Sequence, residues 1–245
     1  RYLREVFFES DVDTIGINVF DNCAAELVIW IPANADNLIT AFTSAPDDDY
    51  NLKVYMPSEY FITEPVTLDG KEGLKIIGFT YEYTALGALI IPKYISRKPV
   101  IAIADSVFKD NTYINAVELP DVMILIADSV FEGCTALSDI LFGEALTEIG
   151  DYAFNHCTAL ETVTAYNNLK IIGDYSFSKT KLTTVNLGMG LSEIGNYAFF
   201  DCGTLSSISF YGNLSIIGDG AFKSSGLTSI TVPNSVREIG TVIEV

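Results

Sequence analysis

Histidine occurs once in the 245 residues, at His156, and tryptophan once, at Trp30. One imidazole rules out any site that needs several, such as a multi-histidine metal centre. Positive charge is also scarce: 14 Lys and Arg stand against 32 Asp and Glu, a formal net charge of −18. Nucleic acid and anionic membranes are poor partners for such a chain, because phosphate binding depends on Lys and Arg to release counterions. Long apolar runs are missing too. The longest, Ala85–Ile91, contains Gly87 and stops at Pro92, far short of the ~18 residues of a membrane span. No membrane insertion by this chain is therefore expected. Arg1 opens without an initiator Met, a basic n-region or a cleavage motif, so a processed protein or a fragment is expected.

Catalytic and cofactor signatures are missing as well. There is no C-x-x-C, no G-x-S-x-G, and the G-M-G at 188–190 lacks the third glycine and the βαβ context of a dinucleotide site. Asp47, Asp48 and Asp49 lack the alternating ligands, glycine and distal Glu of an EF-hand loop, so TSAPDDDY (43–50) reads as a solvated break. The remaining carboxylates fall on turns at repeat positions (Glu148, Asp151, Asp174, Glu193, Asp219), with nothing to build the facing pair a glycosidase needs. No catalytic residue, cofactor or metal ligand is expected, and the protein reads as not an enzyme.

What is present is a core-forming composition, 49% apolar, and a repeat. Phe108, Phe131, Phe154, Phe177, Phe199 and Phe222 follow one another at steps of 23, 23, 23, 22 and 23 residues. From the strand-opening apolar residue (Ile114, Leu137, Leu160, Leu182, Leu205) to its Phe is always 17 residues. All length variation thus falls in one turn after the Phe, as a stacked coil of aligned rungs requires. The four cysteines, Cys23, Cys134, Cys157 and Cys202, each sit three residues after a repeat Phe. One shared slot explains them as small buried turn fillers. A Cys134–Cys157 bridge is within reach of neighbouring rungs, but stacked side chains point the same way, which argues against it.

The same pattern appears in outline at 3–23 and resumes near Ala88, with Ala104 and Ala127 in the glycine slot. ELVIWIP (26–32) alternates as a strand, and ANADNLITAF (33–42) reads as a short helix closing the first array. Residues 51–91 change grammar. NLKVYMP alternates, and YFITEPVTL and LKIIGFTYEY form a hairpin around Asp69-Gly70, with DGKEG taken as a loop longer than two residues. The expected domains are 1–42, the end of one array with its cap; 43–87, a non-repeat β segment or linker; and 88–245, a second array.

Within one rung, Leu160, Val163, Ala165, Leu169 and Ile172 point inward, while Thr162, Thr164 and Tyr166 point out. Gly173 allows close approach of the next rung. Asp174 is expected to cap a short helical turn, and Phe177 to fill the coil.

These residues resemble the BspA-like, or Treponema pallidum type, leucine-rich repeat family, whose sign is L-x-x-I-x-[LF]-P-x-x-[LV]-x-x-I-G-x-x-A-F-x-x-C. Leu182–Cys202, Leu160–Phe177 and Leu205–Phe222 match it most closely. The resemblance implies a leucine-rich-repeat solenoid, mainly β with short helical or irregular turns. It would be a curved parallel sheet of ~22–23-residue rungs interrupted by a β-hairpin segment. It further implies an extracellular or cell-surface protein of host-associated bacteria that adheres to proteins or glycans.

His156, in a turn, reads as a surface residue. Function is left to the outward row of the strands: Glu118; Asp139 with Leu141; Thr162, Thr164 and Tyr166; Thr184 and Asn186; Ser207, Ser209 and Tyr211; Ser229 and Thr231. Thr and Ser are ordinary on a solvated strand, but Tyr166 and Tyr211 offer contact area at low entropy cost. The expected partner is a protein or glycan. The rivals are a passive stalk in a larger surface protein and an enzyme whose site lies at 43–87 or outside the repeats.

Overall fold

The structure, a computed structural model, describes residues 58–80 and 87–241, together with the backbone of segments 5–7, 27–32 and 50–55. The repeat expected at 3–23 apart from its first strand, Cys23, the helix at 33–42, the acidic break up to Asp49 and the terminal segment after Thr241 lie outside the described residues.

Alternating apolar residues form three parallel strands at the start of the chain: β1 (Glu5–Phe7), β2 (Leu27–Pro32) and β3 (Tyr50–Tyr55). Glu5 pairs with Val28, and Leu27 with Tyr50, so the 23-residue period runs on into β3. The hairpin follows as β4 (Phe61–Leu68) and β5 (Lys71–Phe79). Its loop is only Asp69-Gly70, shorter than the sequence suggested, and Leu68 pairs directly with Lys71. Both loop residues have positive φ, 50° and 73°, the pattern of a type I′ turn, whose twist matches that of the strands.

The hairpin leads directly into the solenoid. After β6 (Gly87–Ile90), β7 (Tyr94–Ile95) turns back antiparallel on β8 (Lys98–Ile103). The later rungs all carry a short strand on one face, and the first four of them carry a second strand on another. The first face holds β9 (Ile114–Glu118), β11 (Asp139–Leu141), β13 (Thr162–Thr164) and β15 (Thr184–Asn186). The second face holds two-residue strands: β10 (Leu125–Ile126), β12 (Glu148–Ile149), β14 (Ile171–Ile172), β16 (Glu193–Ile194), β17 (Ile216–Ile217) and β18 (Glu238–Ile239). The second face is continuous, with β5 pairing parallel to β8 and the ladder running in order to β18. The first face is paired in pieces, β6–β9–β11 and then β13–β15.

Between the faces lies the core. Ile103, Ile126, Ile149, Ile172, Ile194 and Ile217 form one buried column. The expected Phe column is the other. Phe108, Phe131, Phe154, Phe177, Phe199 and Phe222 stack as expected, and Phe79 of the hairpin extends the column, at 5.2–5.5 Å between ring centroids with interplanar angles of 6–14°. That spacing is close to the ~4.8 Å between strands, so ring and backbone repeat in step, and each ring is offset on the next. Gly173 behaves as expected: a Cβ there would lie 2.7 Å from the Asp151 nitrogen.

The turn before each Phe is not helical. Tyr152, Tyr175 and Tyr197 have φ of 57°, 54° and 54°, and two residues past the Phe come His156, Lys179 and Asp201 at 61°, 59° and 59°. Left-handed backbone is unusual for a ring-bearing residue. It persists because it turns alternate N–H groups toward the next rung. Tyr152, Phe154 and His156 donate to the carbonyls of Asp174, Ser176 and Ser178 at 2.8, 2.7 and 2.9 Å. A third hydrogen-bonded ladder results, where a local helical turn had been expected.

Cys134, Cys157 and Cys202 are buried free thiols, each donating to a Phe carbonyl of a preceding rung at 3.1 Å. Burial pushes the Cys134 thiol up to about 12, and raises Cys157 and Cys202 as well. They stay protonated and unreactive, as fillers of the shared slot.

Candidate functional site

The outward row of the first face is exposed where the inward row is buried. Asp139, Thr162, Thr164, Thr184, Asn186, Ser207, Ser209, Ser229 and Thr231 are all exposed, and Glu118 is half-buried. Val163 and Val185, between them in sequence, are buried. Register brings these residues together: Thr162 pairs with Thr184, Thr164 with Asn186, and Leu141 with Glu118. Ser207, Ser209, Ser229 and Thr231 follow at the same repeat positions, but their segments form no strand on that face. Tyr166 and Tyr211 stand at the ends of their rungs' outward rows, 44% and 43% exposed.

Two further columns were not legible as sites in the sequence. Asp105, Asp128, Asp151, Asp174, Asn196 and Asp219 form a ladder in which each side-chain oxygen accepts the next rung's N–H, at 2.6–3.3 Å. Asp174, expected to cap a helical turn of its own rung, instead accepts the Asn196 N–H of the following rung. Burial and then the neighbouring carboxylates hold Glu148 above the usual range, and Asp151 is raised by burial against its hydrogen bond from the Asp174 N–H. Beside this ladder, Tyr152, Tyr175 and Tyr197 stack at 5.0 and 4.9 Å. Both columns are explained by rung-to-rung contacts. Their signal, identical residues at the repeat spacing, was visible, but the direction of their bonds was not.

At the end of β6, β9 and β11 lies a cleft of about 480 Å³. Pro92 and Pro120 end the first two strands there, Leu141 is 54% exposed, and Tyr166 borders it from the next rung. Glu118 and Glu144 line it, and Lys93 is held by Asp121 at 2.9 Å. Of these residues only Glu118, Leu141 and Tyr166 belonged to the outward row. The residues after β6 escaped the sequence because that rung is out of step: Ile90 pairs with Glu118, 28 residues on.

His156 is exposed in its turn. Among the described residues, no group of three or more His, Cys, Asp or Glu is placed to hold a metal ion, and no helix is long and apolar enough to cross a membrane.

A family model for the BspA type leucine rich repeat region matches in six copies, over residues 75–202 and 125–243. Among solved structures, the chain is similar to the Treponema pallidum leucine-rich repeat protein at 27% identity and a TM-score of 0.63, covering 78% of this chain and 83% of that one. It is also similar to a leucine-rich cell surface protein of Faecalibacterium prausnitzii, at 23% identity and a TM-score of 0.59, over 73% of this chain and 48% of that one. A leucine-rich repeat protein of Eubacterium ventriosum matches at 18% identity and a TM-score of 0.56, over 85% of this chain and 62% of its own. These last two show the fold alone. Among curated proteins no match is found. The family match spans well over half of the sequence, and it agrees with the stacked Phe and Ile columns: the chain belongs to the BspA-type leucine-rich repeat family.

Proposed function

We propose that this chain is a non-catalytic recognition module, which binds a protein or glycan at a cell surface through the outward face of β9, β11, β13 and β15 and the two rungs beyond. The observation that carries this reading is an exposed row of hydroxyl, carboxamide and tyrosine side chains repeated at the rung period along one face. Tyr166 and Tyr211, with Thr162, Thr164, Thr184, Asn186, Ser207 and Ser209 in the same outward row, provide aromatic area and adaptable hydrogen bonding. The other columns are engaged in holding rung to rung. The similar Faecalibacterium protein is described as a cell surface protein, which fits an extracellular placement.

The test is binding of the purified chain to immobilised matrix proteins and glycans, with and without Tyr166→Ala and Tyr211→Ala. A bound ligand lost in the double variant, at unchanged melting temperature, supports the reading. Every interaction surviving the double variant sinks it, and a parent chain that binds nothing favours a passive stalk.

A further inference from the structure

We propose that the cleft at the end of β6, β9 and β11 is an anchor site for an arginine or lysine side chain of an extended, basic peptide segment. This rests on the recognition reading above and names the partner's chemistry. The cleft exists because of one position in the rungs. Pro92, Pro120, Gly143 and Tyr166 occupy equivalent places on successive rungs. Proline lacks an N–H and stops the strand, so the first two rungs turn away there. Gly143 contributes no side chain, and it could not carry one, since a Cβ would strike the Pro120 carbonyl oxygen. Tyr166, the next rung's residue, then borders the cleft and is 44% exposed.

The lining selects a cation with an apolar stem. Leu141, 54% exposed, is an aliphatic side chain in a row that is otherwise polar from Glu118 to Thr231. With the Tyr166 ring and the two prolines it supplies the kind of surface that long basic side chains lie along. The polar groups are three carboxylates, Glu118, Asp121 and Glu144, against one ammonium, Lys93. Lys93 is engaged by both oxygens of Asp121 at 2.9 Å, so that pair is neutral and the exposed Glu144 carboxylate makes the cleft negative. A cationic head placed near an exposed tyrosine face gains further from the ring quadrupole. The volume, about 480 Å³, falls in the range of ~300–1,000 Å³ that accepts a small ligand or a side chain with its flanking backbone. An acidic peptide would meet like charge here, and the whole chain, at −18, would repel it on approach.

The experiment is fluorescence anisotropy of a labelled peptide of alternating arginine and alanine against the full chain, with the glutamate–alanine counterpart as control. Glu144→Gln combined with Leu141→Ser is expected to weaken the arginine peptide by about tenfold. Asp201→Asn, an exposed turn residue away from the cleft, should leave it unchanged, and the glutamate peptide should not bind. Matching melting temperatures establish that the variants are folded. Failure of the parent chain to bind the arginine peptide, or an equal loss in Asp201→Asn, overturns the proposal, the latter revealing diffuse attraction to an acidic surface. A protein or glycan ligand that is lost in Tyr211→Ala yet unaffected by Glu144→Gln and Leu141→Ser would leave the recognition reading standing and this one refuted.

Discussion

Compare the Phe column with the outward strand row, which lie on the same rungs and obey the same period. Along the column, from Phe108 to Phe222, the same residue recurs, fully buried and stacked on its neighbours at 5.2–5.5 Å. Along the row, one position reads Glu118, Leu141, Thr164, Asn186, Ser209 and Thr231. A stacked interior couples each residue to an identical one above and below, so a change of volume is felt by two neighbours at once. An outward side chain meets only solvent and its lateral neighbours. Variation is therefore free there, and that freedom is what a recognition surface needs. Uniformity within the chain marks architecture, and departure from it marks the places worth testing.

The sharpest way to break this contrast is Phe154→Ala. It removes a ring packed between Phe131 and Phe177 and touched edge-on by Phe142, and should cost ~3–5 kcal/mol in denaturant unfolding. An unchanged midpoint would mean that the column does not hold the rungs together. The opposite sign is expected at Ser176, whose Oγ is buried with no hydrogen-bond partner at a position where other rungs carry Val130, Ala153, Ala198 and Ala221. Ser176→Ala should stabilise by about 1–2 kcal/mol, read as a rise in Tm.

The carboxylate ladder predicts a smaller effect that depends on pH. Glu148 and Asp151 have folded-state values raised above the ordinary 4.5 and 3.8, by burial first and then by acidic neighbours, Asp128 and Asp151 for Glu148 and Asp128 and Asp174 for Asp151. Between the ordinary and the raised values the folded chain binds more protons than the unfolded one. Their contribution to stability therefore falls as pH rises through that window and returns on acidification. Glu132 opposes this: burial raises it, but hydrogen bonds from Ser129, Lys109 and Asn155 bring it below the usual range. Asp151→Asn should keep the acceptor for the Asp174 N–H, as Asn196 does for Asp219 at 2.8 Å, while relieving repulsion. The variant is expected to melt higher than the parent near neutral pH, with a flatter pH profile. A lower melting temperature at neutral pH would show that the charge itself strengthens the ladder. The smallest effect belongs to the strand row. Thr184→Ala should change stability by no more than ~0.5 kcal/mol, and a larger loss in thermal unfolding would make that face structural.

Much of this was legible before any coordinates. The Phe and Cys slots, the inward and outward alternation at Leu160–Tyr166 and the hairpin around Asp69-Gly70 follow from spacing and polarity, because stacking copies one local pattern into every rung. The turn conformation was not legible. DYAF and DYSF carry a helix-like cap signal, yet Tyr152 and Tyr175 are left-handed. The hydrogen bonds that stabilise this backbone come from the adjacent rung and have no counterpart in local propensity. The hairpin loop was read too long for a related reason: Lys71, Glu72 and Gly73 look like turn residues alone, but pair with Leu68, Thr67 and Val66.

Sequence alone sufficed for the period, the buried columns and the family, since each depends on residue type repeated at a constant interval. The cleft and the direction of the Asp ladder depended on how rungs meet. Ile90 pairs with Glu118 across an irregular 28-residue step, which sets Pro92 beside Pro120, and Gly143 and Tyr166 then follow at the regular period. A one-dimensional pattern records what each rung contains; the register and close approach of neighbouring rungs arise only when the chain is stacked.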